Sequence, residues 1–146
     1  MNGYAVRRLA EAELVTYGPM SDLRVLVGDD KGSSPIRTAL QTCQPGYDVP
    51  FHAHPYTEYL IVLEGAADFR IEVDGMQKVS LQKGDTVELH AGVWHAFTTS
   101  PDEVTRLLGI HISPERIVHY KSGVKTDARG FRVESDPTVG EPVAGV

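Results

Sequence analysis

The sequence predicts a closed or sandwiched all-β domain, and three observations carry that prediction. Apolar and polar residues alternate with a period of two over most of residues 23–113. Gly, Pro and Asp interrupt the alternation at short intervals, as expected for turns between antiparallel strands. Helical periodicity is limited to two short segments, residues 7–14 and 114–119. Many short strands with little helix are typical of β-sandwiches and β-barrels.

Taken in order, the chain divides into three parts. Residues 1–22 are predicted to form an N-terminal arm, residues 23–113 the all-β domain, and residues 114–146 a C-terminal extension. The last part of this extension, residues 134–146, contains Pro137, Gly140, Pro142 and Gly145 with few large apolar residues. We therefore expect it to be a mobile tail.

The central strands can be predicted individually. Residues 59–63 are apolar on both faces of a strand, so the outer face needs a cover, which a second sheet, the N-terminal arm or another subunit would provide. A homodimer is therefore predicted. In residues 66–73 Phe69 and Ile71 share a face opposite Asp68. Asp74-Gly75 is typical of a tight hairpin turn, so residues 76–81 are predicted to return as the partner strand.

Three further strands follow in the second half of the domain. Residues 86–89 alternate after the Gly84-Asp85 turn, and another strand is expected to start near Trp94. Residues 104–112 form the last, with Leu108 and Ile110 on one face and His111 on the other.

Size and charge restrict the function. A chain of 146 residues, with 41% hydrophobic and 23% charged residues, fits one ordinary globular domain. A net charge of -6 repels phosphate backbones and anionic lipids, so nucleic acid and membrane partners are disfavoured. The longest aliphatic run, residues 60–63, is too short to cross a bilayer, and residues 1–18 contain no apolar stretch of signal-peptide length.

The sequence contains six histidines but a single cysteine, Cys43. One cysteine cannot form an intrachain disulfide, and no CxxC pair is present, so a reducing, cytoplasmic location is predicted. Cys43 itself is interpreted as a small buried hydrophobe, or as a nucleophile if a histidine lies beside it. A metal site in this protein would have to use imidazole and carboxylate ligands.

Such ligands occur together in residues 52–58. His52 and His54 are two residues apart, so on an extended strand both imidazoles lie on one face. Glu58 has the same parity, and His95 could supply a fourth ligand from another strand. Three imidazoles and a carboxylate suit Fe(II), Mn(II), Ni(II), Cu(II) or Zn(II) and leave room for water or substrate. Buried in an apolar domain, these groups would be costly without an ion or hydrogen bonds.

The spacing around these residues resembles that of a known family, the cupins. The first cupin motif is a glycine, five residues, HxH, three or four residues, Glu, six residues and Gly. It is met in full by Gly46, His52, His54, Glu58 and Gly65.

The second cupin motif is a glycine, five residues, PxG, two residues, His, three residues and Asn. It is met in part by Gly84, Gly92 and His95, while His90 replaces the proline and Thr99 the asparagine. These departures affect the turn and the surroundings of the site, whereas the metal position remains filled.

The resemblance implies an antiparallel jelly-roll β-barrel over residues 23–113, often dimeric in this family. It further implies a divalent transition metal inside the barrel, bound by His52, His54, Glu58 and His95. Glu58 and His111 are the candidate catalytic residues. His111 either projects into the cavity as a general base or is hydrogen-bonded on the barrel wall.

Other side chains have weaker functional signals. Tyr56 either hydrogen-bonds a substrate or packs at the rim, and His90 and His119 are expected to be exposed. Two functions remain open for the site. One is an enzyme acting on a small organic molecule, by dioxygenase chemistry or by Lewis-acid isomerase or lyase chemistry. The other is a small-ligand-binding protein whose metal is structural.

Overall fold

The computed structural model describes residues 3–121 and 123–133. Eleven strands in these residues form two antiparallel sheets: β1 (Glu13–Tyr17), β2 (Ser21–Val27), β3 (Arg37–Cys43), β4 (Asp48–Ala53), β5 (Glu58–Glu64), β6 (Ala66–Glu72), β7 (Met76–Gln82), β8 (Thr86–Leu89), β9 (His95–Thr99), β10 (Thr105–His111) and β11 (His119–Tyr120). The first sheet has the order β1-β2-β3-β10-β5-β8, and the second has the order β11-β4-β9-β6-β7. This arrangement confirms the predicted all-β, jelly-roll class.

The hydrophobic core lies between the two sheets. Because side chains of a strand alternate between its faces, residues two apart enter this core together, as Leu60 and Val62 of β5 and Ala67 and Phe69 of β6 do. The buried cluster consists of Tyr17, Leu23, Cys43, Tyr47, Val49, Leu60, Val62, Ala67, Phe69, Leu81, Leu89, Phe97, Leu107 and Phe131. Phe131 shows that the C-terminal extension packs into the core as well.

Two turns depend on residues that tolerate a positive φ. Asp74 and Gly75, with φ of 52° and 94°, connect β6 to β7, as the Asp-Gly dipeptide predicted. Gly65 has φ of 81°, and a Cβ atom there would lie 2.4 Å from Thr105 Oγ1. A side chain at position 65 would therefore clash with the start of β10.

Two parts of the sequence-based prediction were wrong. Residues 7–14 are not helical: a single 3₁₀ turn, Leu9–Glu11, is followed by β1, which pairs along β2. Residues 114–118 form a bend and irregular backbone, and His119 begins β11. Pairing with a neighbouring strand outweighs the weak helical preference of such short segments. The predicted mobile tail, residues 134–146, lies outside the described residues.

The orientation of β10 differs from what the hydrophobicity of its residues alone would predict. Leu107, Gly109 and His111 line the interior cavity, whereas Leu108 and Ile110 point to the outer side of the six-stranded sheet. The more apolar face of this strand is therefore the outer one, and the polar His111 lies inside.

Candidate metal centre

Within the described residues, one cluster of potential ligands could hold a metal ion. His52, His54, Glu58 and His95 each offer one ligand atom, and these atoms all lie within 4.8 Å of one another. All four residues are at least 95% buried. They come from the end of β4, the segment after it, and the starts of β5 and β9.

Strand pairing brings these residues together. His52 on β4 lies directly opposite His95 on β9, and their ring centroids are 4.2 Å apart. His54 follows two residues after His52, with a centroid distance of 5.2 Å between the two rings. The common face expected for residues two apart therefore holds for this pair.

Backbone carbonyls fix the orientation of all three imidazoles. Nδ1 of His52 donates to Pro50 O at 2.8 Å, Nδ1 of His54 to Ile117 O at 2.7 Å, and Nδ1 of His95 to Val93 O at 2.9 Å. Since the Nδ1 atoms carry the protons, each Nε2 keeps its lone pair. Hydrogen bonds of this kind are the usual support for metal-binding histidines.

The atoms at the centre of the cluster lack hydrogen-bond partners. His54 Nε2, His95 Nε2 and Glu58 Oε1 are buried and make no hydrogen bond of good geometry. Glu58 Oε1 lies 3.3 Å from His54 Nε2 and 3.2 Å from His95 Nε2. Buried acceptors without donors are costly, and a shared cation removes that cost. The donor set therefore fits a divalent transition metal, as predicted.

The electrostatics of the cluster also favour a cation. Burial would raise the pKa of Glu58, but the nearby His54 and His111 hold it well below its usual range. Burial lowers the pKa of His52, so this imidazole is neutral and available as a ligand. Burial opposes protonation of His54 too, yet the charge of Glu58 outweighs it and raises the His54 pKa. A metal would replace the proton that this carboxylate attracts.

His111 lies beside the cluster and contacts the second oxygen of Glu58. Its Nε2 is 2.6 Å from Glu58 Oε2, and its Nδ1 is 2.7 Å from the Tyr56 hydroxyl. Burial is the largest influence on the His111 pKa and lowers it, so the ring is neutral. It then donates through Nε2 to Glu58 and accepts at Nδ1 from Tyr56. Tyr56 also stacks on His54, with an interplanar angle of 14°.

The remaining candidates from the sequence lie away from the cluster. His90 and His119 are exposed. Cys43 is fully buried, with Sγ 3.6 Å from Ser21 Oγ, and burial raises the pKa of its thiol to about 12. This thiol is a packed core group without thiolate character.

A cavity of about 60 Å³ opens next to the cluster. Its wall includes His52, His54, Glu58 and His111, together with the apolar side chains Leu60, Phe97 and Leu107. Three further lining residues, Arg37, Arg116 and Phe131, were not identified from the sequence. Arg37 lies at the start of β3, and the other two belong to the C-terminal extension, whose sequence contains no recognisable motif.

Comparison with protein families identifies a match to the cupin domain over residues 39–111. Two curated relatives are acireductone dioxygenases from fungi. The Phaeosphaeria nodorum protein is 32% identical over 85 residues, which cover 57% of this chain and 49% of that protein. The Sclerotinia sclerotiorum protein is 29% identical over 90 residues, which cover 60% and 51%. The chain thus spans about half the length of these relatives.

Solved structures with a similar fold have diverse functions. Oxalate decarboxylase from Bacillus subtilis matches with a TM-score of 0.66 and 22% identity, over 77% of this chain and 30% of that one. Hydroxypropylphosphonic acid epoxidase from S. wedmorenis gives a TM-score of 0.62 and 17% identity, over 76% and 60%. Hazelnut vicilin gives 0.65 and 15%, over 77% and 35%. These similarities support the fold alone.

Proposed function

The chain belongs to the cupin family, and from that membership we propose that it is a metal-dependent dioxygenase acting on a small organic molecule inside the barrel. The observation that carries the proposal is the convergence of buried, unpaired ligand atoms from His52, His54, Glu58 and His95 beside a cavity. Similarity to two acireductone dioxygenases favours oxygen chemistry over isomerase or lyase chemistry.

The chemistry would depend on the ion that the four ligands hold. Held by these residues, a redox-active divalent ion would supply oxygen chemistry for a small chelating substrate. The protein itself excludes water from the cavity and orients the ligand side chains. Apolar walls that include Leu60, Phe97 and Leu107 exclude water from the cavity. Backbone carbonyls hold the imidazoles in the tautomer that leaves Nε2 free.

We assign different roles to the two candidate catalytic residues. The hydrogen bond between Glu58 Oε2 and His111 fixes the carboxylate in one orientation, and Oε1 would then be the oxygen that holds the ion. His111 acts as a positioning residue through this hydrogen bond, and Tyr56 holds the far side of its ring. In this arrangement His111 also lines the cavity, where it can accept or deliver a proton by exchanging its hydrogen-bond partners.

The experiment that tests the function is anaerobic reconstitution with Fe(II), Mn(II), Ni(II) or Zn(II), followed by oxygen-uptake measurements. The substrate panel comprises enediols, β-diketones, catechols and thiols. We expect uptake with at least one redox-active ion and one chelating substrate, and none with zinc or with metal-free protein. Absence of uptake with every combination would contradict the dioxygenase proposal.

Replacing His111 with Phe should reduce turnover by roughly 10–100-fold while metal occupancy is retained, because Glu58 loses the donor that orients it. Replacement with Gln should restore part of the activity, since an amide N–H can still donate to Oε2. Turnover and metal content of the two variants check this. If the Phe variant instead fails to bind metal at all, His111 is a ligand and not a positioning residue.

The outer face of the six-stranded sheet supports a proposal about the oligomeric state of the protein. Leu40, Leu108 and Ile61 lie opposite one another across β3, β10 and β5 on the outer face of the six-stranded sheet. We propose that a second copy of the chain covers this apolar row, so light scattering should give twice the mass of the 16.0 kDa chain.

The described residues contain no helix long and apolar enough to cross a bilayer. The lone buried Cys43 supports a cytoplasmic location, and the acidic charge argues against a nucleic acid partner.

A further inference from the structure

Arg116 brings a positive charge to the wall of the metal-binding cavity. It lies in the C-terminal extension, beyond the residues 39–111 that match the cupin domain. Two arginines line the cavity, Arg116 and Arg37, and Glu58 is the only carboxylate among the described lining residues. Because Glu58 is already engaged by the ligand cluster, it cannot also balance two guanidinium groups.

The charge of Arg37 is balanced by other groups. Its Nη1 donates to Asp29 O at 2.5 Å, and its Nη2 lies 3.7 Å from a carboxylate oxygen of Asp30. This arginine is buried and is held by the loop between β2 and β3. These contacts indicate that Arg37 has a structural role in holding this loop.

Arg116 has no such counterion within the described residues. Its Nη1 donates to Gly130 O at 3.0 Å, and the guanidinium carbon lies 4.1 Å from the centroid of the Phe131 ring. Its Nη2 is buried and completes no hydrogen bond of good geometry, and the Tyr120 hydroxyl is the hydrogen-bonding group beside it. A neutral hydroxyl does not balance a buried positive charge, so a ligand that supplies a negatively charged acceptor would gain from this site. The Phe131 contact and the Gly130 bond hold the group in place before a ligand binds.

The Tyr120 hydroxyl lies beside Arg116 and is buried near the ligand cluster. It makes no hydrogen bond of good geometry, and the centroid of its ring is 5.9 Å from that of His52. Because a guanidinium group can only donate, the Tyr120 oxygen is the acceptor in its hydrogen bond with the Arg116 side chain. The Tyr120 O–H is then left to donate to a ligand. Arg116 lines the same cavity as His54 and His111, so a ligand in this cavity can contact both Arg116 and the ligand cluster.

We propose that Arg116 is a specificity-determining residue that selects an organic anion as the substrate and binds its carboxylate or similarly charged oxygen group. The planar guanidinium group can donate two parallel hydrogen bonds to one carboxylate, which the ammonium group of a lysine cannot do. A cavity of about 60 Å³ is about twice the roughly 30 Å³ that one water molecule takes in the liquid, so the anion is small. This inference rests on the proposed function only in that the bound molecule is taken to be the substrate.

The test measures anion binding by calorimetry, with malonate as the probe and malonamide as its neutral counterpart. Zinc-loaded and metal-free protein are both titrated, so binding is read without turnover. We expect the wild-type protein to prefer malonate in both forms. Arg116→Met should weaken malonate binding about tenfold or more, because a charge-assisted hydrogen bond is lost. Arg116→Lys keeps the positive charge but loses the planar pair of N–H donors, so we expect an intermediate affinity for malonate.

Arg129→Met is the matched control. Arg129 belongs to the same extension, and its guanidinium carbon also lies over Phe131, at 4.9 Å. However, its side chain pairs with Glu13 and Asp30 and does not line the cavity. Both Met variants thus remove one cation and one aromatic contact, but only Arg116 faces the cavity. We expect the control to change malonate affinity by less than about twofold, since exposed charges are screened.

The outcomes separate this inference from the proposed function. Equal effects of the two Met variants, or equal wild-type affinity for malonate and malonamide, would overturn the role of Arg116. The second comparison needs no variant, so it decides the matter even if Arg116→Met does not fold. Arg116-dependent malonate binding by a protein that shows no oxygen uptake would support the inference while the proposed function fails.

Discussion

Replacing Glu58 with Gln is expected to reduce turnover by about 100-fold or more at saturating metal, while most of the metal occupancy is retained. Three imidazoles remain to hold the ion, but the neutral amide removes the only negative charge of the ligand set. The amide has one acceptor oxygen where the carboxylate had two, so an NH2 group faces either the ion or the Nε2–H of His111, where the carboxylate oxygen accepted at 2.6 Å. Oxygen uptake and elemental analysis of the same samples measure the two effects separately.

The result distinguishes an enzyme from a ligand-binding protein with a structural metal. In a purely structural site the substitution would lower the melting temperature, with no larger effect on any reaction. Glu64→Gln serves as the control, because Glu64 ends the same strand but is exposed, with only a long contact of 3.8 Å to Arg106. Full turnover by the Glu58→Gln variant would contradict the role assigned to this carboxylate.

Replacing His95 with Ala is expected to lower metal affinity by more than about 100-fold. Removing a group that merely supports a ligand costs roughly 10–100-fold, and the loss of a ligand itself should cost more. His95 is 1% exposed and lies opposite His52 across the β4–β9 pair, so its imidazole is held in the buried cluster. The stabilisation of the fold by added metal should largely disappear as well. Competition against a chelator and thermal unfolding with and without zinc check both effects.

His90→Ala provides the comparison for this variant, because His90 is exposed and lies five residues before His95. It should bind metal as the wild-type protein does. If the two variants retained equal metal affinity, the ion would have to bind elsewhere and the proposed ligand set would be wrong.

Several features of the fold and the cluster could be predicted from the sequence because they depend on local rules. The alternation of apolar residues identified the strands, and the Asp74-Gly75 dipeptide identified the β6–β7 turn. His52 and His54 share a face because of their spacing alone. The motif spacing linked them to His95, whose position opposite His52 is a matter of strand register.

Other features depend on contacts between distant segments, which no local pattern encodes. The bond between His111 and Glu58 arises because β10 pairs with β5 in that register. The inner face of β10 was hard to recognise because Gly109 and His111 are less apolar than Leu108 and Ile110 on the outer face. Arg116 and Phe131 reach the cavity through the irregular backbone of the C-terminal extension. Sequence periodicity cannot reveal such an approach.

The most direct test of the central claim is X-ray absorption spectroscopy of the protein loaded with zinc, together with elemental analysis. The metal site predicts about one ion per chain, coordinated by three imidazole nitrogens and a carboxylate oxygen at about 2.0–2.2 Å. The His95→Ala variant should lose this signal. Zinc bound well below one equivalent, or a spectrum without imidazole scattering, would contradict the assignment of His52, His54, Glu58 and His95 as a metal centre.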